Sequence, residues 1–300
     1  MTDAADPPAP REPILLRRRR LPGIVLALGL AMLLPELAVW ASAALDAAGR
    51  SLPGLDRWAL IDRFGLIPAK VLGHADFLQV PLAFWQPGCF GDPVPPEWTA
   101  MCGAQREVWA ARAVGGAEPW RLASHAFLHG GPVHLVLNGL AFLAFAPRVA
   151  RRMGAMWFAG FFLACAAAGG LAFMAGGYGL DIWRLQAGLL GDRSDLPMLT
   201  GQVPLVGASG AIFGVIMADL MLRWQRARRQ PPGVALAPPG VLVRQMLVLG
   251  LGVNLAFELL PTGISGAAHI GGAAAGLALL PLTRRRTTRR HRTGRITRTP

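Results

Sequence analysis

Gly207-Ala208-Ser209-Gly210-Ala211-Ile212-Phe213-Gly214 lies in an apolar run, 204–222, and brings a serine about four residues into it. A second apolar run, 264–282, carries Ala268-His269 about as far from its own start. Runs of this kind read as membrane-spanning helices, because roughly 20 apolar residues are needed to cross about 30 Å of hydrocarbon. Polar side chains at that depth are expensive and mark a functional site. A hydroxyl beside an imidazole is a nucleophile beside its base. The chain therefore reads as a hydrolase whose chemistry takes place inside a lipid bilayer.

Composition points the same way. The 300 residues are 53% hydrophobic and only 16% charged, with a mean hydropathy of +0.41, too apolar for an ordinary soluble domain. The pattern predicts an all-α, polytopic bundle of six transmembrane helices at 21–44, 132–147, 154–176, 204–222, 241–260 and 264–282, with a long outer loop between the first two. Six spans put both termini on one side. The arginines agree with that count. Arg17 to Arg20 precede the first span, and Arg148, Arg151 and Arg152 join the second to the third. Arg223, Arg226, Arg228, Arg229 and Arg244 flank the link from fourth to fifth, and Arg284 to Arg298 follow the last. All fall on one side, which the positive-inside rule makes cytoplasmic. The segment 45–131 mixes acids and bases nearly evenly and is expected outside. The expected location is an integral one in a bacterial inner (plasma) membrane, with both termini cytoplasmic and the polar cluster near the outer face.

Three regions follow: a Pro/Ala/Asp/Glu-rich N-terminus, 1–20, expected to be disordered; one membrane domain, 21–282; and a basic cytoplasmic tail, 283–300. The tail reads as an anchor against anionic lipid. Nucleic-acid contact is disfavoured, since no aromatic interleaving accompanies the charge. Arg17 to Arg20, an apolar stretch and Ala41-Ser42-Ala43 have the outline of a cleaved signal peptide. The stretch is long, about 24 residues, and contains Glu36 and Trp40, which favours a retained first helix. Cys165 lies mid-span and reads as a buried thiol. Cys89 and Cys102 fall in the outer segment and are left open between a disulfide and two separate thiols.

Four polar side chains converge in depth. His134 and Asn138 lie in the first turns of the second span, Ser209 in the fourth and His269 in the sixth. At 1.5 Å per residue each sits roughly 3–9 Å below its outer helix end. His134 and Asn138 are i and i+4, on one helix face, and can serve with the Ser209 backbone N–H as donors to an oxyanion. No acid is placed to orient His269, so a Ser–His dyad is the simpler expectation. Gly210 and Gly214 form one G-x-x-x-G, and Gly272 and Gly276 another. Small residues let helix backbones approach closely in lipid, so these two faces are expected to bring Ser209 and His269 together. Phe213, four residues after Ser209, is placed to stack on the imidazole. No His-Glu-x-x-His or Cys/His cluster is present, so no metal and no cofactor are expected.

With these residues in view, the chain resembles the rhomboid-family intramembrane serine proteases. The resemblance is carried by Trp120-Arg121, His125, His129-Gly130-Gly131-Pro132-Val133-His134 with Asn138, Gly207 to Gly214, and Ala268-His269-Ile270-Gly271-Gly272 with Gly276. Phe64-Gly65-Leu66-Ile67-Pro68 is similar to the family as well, so the likeness extends over roughly 60–282. It implies Ser209 as nucleophile, His269 as general base, and His134, Asn138 and the Ser209 N–H as the oxyanion hole, with Gly207, Gly210, Phe213, Gly272 and Gly276 in support. It implies transmembrane protein substrates met sideways from the lipid, and a structural part for Trp120-Arg121, His125 and His129. The chain departs from the pattern at Ala150, where many members carry Glu, and at Ala146, where Gly is common. Two other readings compete: a non-catalytic relative that binds membrane segments, and a small-solute transporter, which predicts inverted repeats and mid-bilayer broken helices.

Overall fold

The computed structural model describes residues 20–50, 54–73, 116–189, 200–201, 203–231, 237–259 and 264–290. The N-terminal tail, most of the outer segment with Cys89 and Cys102, and the end of the basic tail lie outside them. Regular structure among the described residues is helical, apart from one antiparallel bridge between Leu66 and Leu205.

Helix α1, Gly23–Ala47, starts after Pro22 and contains Pro35. It buries Val25, Leu28 and Met32 against the rest of the bundle and rests on the two helices that follow the outer segment. The outer segment contributes short helices α2, Arg57–Phe64, and α3, Pro68–Leu72, and after 116 the turn α4, Arg121–Ser124, with a 3-10 turn at His125–Phe127. Helix α5 is Pro132–Met153. Its start falls at the expected proline, because Pro at the first helical position loses no hydrogen bond. Its end lies beyond the expected residue 147: Pro147 is accommodated within the helix, and Gly154 ends it at φ 84. Ala155 then opens α6 directly. That helix runs Ala155–Met174, through a π turn at Ala175–Gly179, to Leu180–Gln186.

The fourth apolar run is the clearest difference from expectation. The helix does not begin at 204. Pro204-Leu205-Val206-Gly207 is extended, with Leu205 paired to Leu66 and Gly207 at φ 120, a conformation that an L side chain rarely adopts. Helix α7 is Ser209–Ala227, so Ser209 is its first residue. Helix α8 runs Pro239–Leu247, a π turn Val248–Gly252 and Val253–Leu259. Helix α9 is Gly266–Arg290.

Helix α7 is the axis of the bundle. It packs most closely on α9, and also on α5, α6 and α8. It is buried almost all round, as a helix at the centre of a bundle must be. Its middle carries Asp219, fully buried and held between Arg148 of α5 and Arg223 of α7. Ala146 and Ala150 are buried in the core nearby.

Among the described residues, four helices are long and apolar enough to cross a membrane: Gly23–Ala47, Pro132–Met153, Ala155–Gln186 and Pro239–Phe257. The chain is an integral membrane protein. Of the two remaining expected spans, α7 carries Asp219, Arg223 and Arg226, and the apolar part of α9, Gly266–Leu282, is shorter.

Candidate functional site

The glycine contacts set the geometry. A Cβ on Gly272 would fall on the carbonyl oxygen of Gly210, and one on Gly276 on that of Gly214. A Cβ on Gly214 would also meet Cys165 Sγ at 2.5 Å. Helices α7 and α9 therefore meet backbone to backbone through the two expected G-x-x-x-G faces. Helix α6 joins them through Gly169, where a Cβ would lie 2.7 Å from the Ala268 carbonyl oxygen.

This close packing puts Ser209, at the start of α7, against His269, in the first turn of α9. Ser209 Oγ lies 2.7 Å from His269 Nε2. The Phe213 ring stacks on the imidazole, with centroids 4.5 Å apart and planes 25° from parallel. Phe257 meets its edge at 6.1 Å. The other ring nitrogen, Nδ1, lies 2.8 Å from Asn254 Oδ1. The sequence offers no acid to orient His269, and the group that the structure sets against the ring is not an acid. An amide from α8 touches it, and neither Asn254 nor Phe257 was singled out from the sequence. The signal was weak: Asn254 shares the stretch 241–260 with Arg244, Gln245 and Glu258, and an aromatic follows it by three residues.

His134 and Asn138 stand on α5 one turn apart, and Asn138 is buried. The Gly130 N–H donates to His134 Nδ1 at 3.3 Å, which leaves the ring proton of the neutral imidazole on Nε2. A Cβ placed on Gly207 would lie 2.8 Å from His134 Nε2 and 3.8 Å from Ser209 Oγ. Both groups thus border the small space above Gly207, and only a residue without a side chain leaves it open. Asn138 Nδ2 donates to the His134 carbonyl at 3.1 Å, with its second amide hydrogen in reserve. The Ser209 N–H, on the first helical residue, has no carbonyl one turn back to bind.

The outer segment holds this arrangement in place. Arg121, buried, donates from Nη1 to the carbonyls of Asp62 (2.8 Å) and Gly65 (2.7 Å) and pairs with Glu118. Lys70 and Asp62 form a buried pair beside it. Leu66 bridges to Leu205, and the Gly207 N–H donates to the His125 carbonyl at 3.0 Å, which fixes the turn before Ser209. His125 in turn places Nδ1 2.9 Å from the Arg121 carbonyl, and burial pushes its imidazole down to about 4. A second brace comes from α1. Arg57 Nη1 donates to Glu36 Oε2 at 2.8 Å and to the His129 carbonyl at 2.7 Å. That carbonyl belongs to the peptide whose N–H, from Gly130, holds His134. His129 is itself buried and pushed down to about 4, chiefly by burial; its ring meets that of His134 edge-on at 5.2 Å.

The rhomboid domain model matches residues 116–286. The segment carrying Phe64 to Pro68 precedes that match. Among curated proteins, the chain is 33% identical over 171 residues to RHOMBOID-like protein 4 of Arabidopsis thaliana, covering 56% of this chain and 35% of that protein. It is 27% identical over 172 residues to RHOMBOID-like protein 6, mitochondrial, of the same plant, covering 56% and 45%. The chain thus spans less than half the length of these relatives.

Proposed function

The chain belongs to the rhomboid family, whose domain model covers more than half of it, and from that membership we propose that it is an intramembrane serine endopeptidase that cleaves transmembrane segments of other membrane proteins. The observation that carries this reading is the 2.7 Å contact between Ser209 Oγ and His269 Nε2, made by separate helices. A hydroxyl is a weak nucleophile until a base shares its proton, and here the base is in hydrogen-bond contact.

In the proposed reaction Ser209 Oγ attacks the scissile carbonyl carbon while His269 Nε2 takes its proton. The carbonyl oxygen becomes an oxyanion that accepts hydrogen bonds from His134 Nε2–H, the second Asn138 amide hydrogen and the Ser209 N–H. Collapse breaks the C–N bond, and His269 gives its proton to the leaving amine. Water then attacks the acyl-serine with His269 again as base, releasing the acid and restoring Ser209. No step calls for a metal or a cofactor. The substrate approaches from the lipid between α5 and α8, which both pack on α7 and turn apolar faces outward: Val133, Val136, Leu137 and Leu140 on one, Leu247, Leu251 and Leu255 on the other. Its helix has to unwind locally, because helical carbonyls are already bonded. We place the six spans with the Arg-rich links and both termini on the cytoplasmic side of a bacterial plasma membrane and the Ser209 end near the opposite face. The single-sided arginines support that orientation.

Reconstituted wild-type protein is expected to cleave members of a panel of single-pass membrane proteins, with products defined by mass spectrometry, and to label with a fluorophosphonate probe. Ser209→Ala is expected to lose both while keeping its thermal transition. Equal cleavage by wild type and Ser209→Ala would falsify the assignment. Binding without turnover or labelling in wild type would favour a non-catalytic binder of membrane segments.

A further inference from the structure

We propose that Asn254 is the positioning residue of His269: its Oδ1 accepts the Nδ1–H and so holds the imidazole in the tautomer that leaves Nε2 free to take the Ser209 proton. This rests on the reading of Ser209 as nucleophile.

For Nε2 to accept from the Ser209 hydroxyl, the neutral ring must carry its proton on Nδ1. A buried Nδ1–H requires an acceptor, and the atom 2.8 Å from it is Asn254 Oδ1. That atom is the amide oxygen, because the amide nitrogen is committed elsewhere. Asn254 Nδ2 donates to the Leu249 carbonyl at 2.8 Å and to the Gly250 carbonyl at 3.3 Å. Carbonyls only accept, so turning the amide over would set oxygen against oxygen. The π turn at Val248–Gly252 supplies these acceptors, in keeping with the frequent placement of such turns at functional sites. Two backbone carbonyls therefore fix the amide, the amide fixes the ring, and the ring presents a lone pair to Ser209.

The same bonds say why the residue is an asparagine. An aspartate would turn a second, anionic oxygen toward two carbonyl oxygens. An amide donates on one side and accepts on the other, where a carboxylate only accepts. The burial is selective as well. Asn254 is 0% exposed, on a helix whose leucines at 247, 251, 255 and 259 face outward. A polar group in such a helix is costly and marks function. A plain interhelical tie would need only that α8 and α9 be joined, not that one particular ring nitrogen be protonated.

The test is ¹⁵N NMR of the full chain, labelled at histidine, in lipid nanodiscs, with His269 assigned by substitution. Wild type is expected to show His269 protonated at Nδ1. Asn254→Ala is expected to show a mixed or Nε2-protonated ring, to lose on the order of 10- to 100-fold in kcat with KM changed by less than about twofold, since loss of tautomer control in a Ser-His-Asp triad costs about 10⁴-fold and a neutral amide contributes less than a carboxylate. Asn254→Leu, close in volume and without an acceptor, is expected to do the same and serves if the alanine variant fails to fold. An Nε2-protonated His269 in wild type, or a wild-type kcat in either variant, overturns the proposal. Absence of Ser209-dependent turnover in wild type would instead sink the protease reading; the tautomer measurement needs no substrate and would still decide the part played by Asn254.

Discussion

Gly207 shows how much one missing side chain can decide. Its backbone sits at φ 120, and the position a Cβ would take is bordered by His134 Nε2 and Ser209 Oγ. Gly207→Ala is expected to abolish turnover of a model transmembrane substrate through this intrusion, with fluorophosphonate labelling falling in step. Normal labelling of the variant would show that the space is not used. Asn138→Ala is expected to lower kcat on the order of 10²-fold, as removal of one oxyanion donor does; kinetics in detergent at saturating substrate would read it, and full activity would remove Asn138 from the site. At this scale the sequence was informative about contacts. Ser209 touches His269, and Phe213 stacks on the ring, as their spacing suggested. Asn254 is hard to read because a carboxylate is the usual partner of such a histidine, and an amide that shares its helix with Arg244, Gln245 and Glu258 has no pattern to mark it. Its partner lies fifteen residues away across a turn that periodicity does not describe.

Among the elements, the pairing of α7 with α9 was legible because G-x-x-x-G repeats at the helical period on both. What was not legible is the part of α6, whose Gly169 approaches the Ala268 carbonyl without belonging to such a motif. Gly276→Ala is expected to force the two backbones apart, with a cost of about 1–3 kcal/mol typical of overpacking. A lower thermal midpoint in detergent, with activity lost at temperatures wild type tolerates, would express it; an unchanged midpoint would count against the close contact. The span boundaries were less legible than the spans. Hydropathy cannot tell an extended apolar segment from a helical one, so 204–208 was read as helix although Leu205 pairs with Leu66. Arginines and a proline made α5 look short, although long arginine side chains at a helix end reach the interface without ending the helix.

For the molecule as a whole, the bundle and the outer segment depend on each other through buried histidines. His125 and His129 both lie in the segment before α5, and burial holds each down to about 4 in the folded protein from an ordinary 6.5. The unfolded chain therefore takes up protons that the folded chain refuses between those two values. Stability is full above about pH 6.5, falls as the pH drops toward about 4, and levels off below that, since proton uptake by the unfolded state favours unfolding. Thermal unfolding of the detergent-solubilised protein from pH 7.5 to 4.5 is expected to show this slope, reduced in His125→Gln. A flat profile over that interval would contradict the burial of both rings. The all-helical, membrane-embedded character was plain from composition. The braces that join α1 to the site, Glu36 to Arg57 to the His129 carbonyl, were not, because they link residues far apart in the chain through a segment with no regular period.

The widened turn in α8 also sets an angle. A regular helix advances about 100° per residue and the π turn less, so rewinding 248–252 as regular helix would swing everything downstream around the axis by roughly one residue's step. Asn254 would come to the outward position of Leu255 and leave the imidazole. The chain would keep its serine, its histidine and every span, and lose the amide at the ring by a change of helical phase alone.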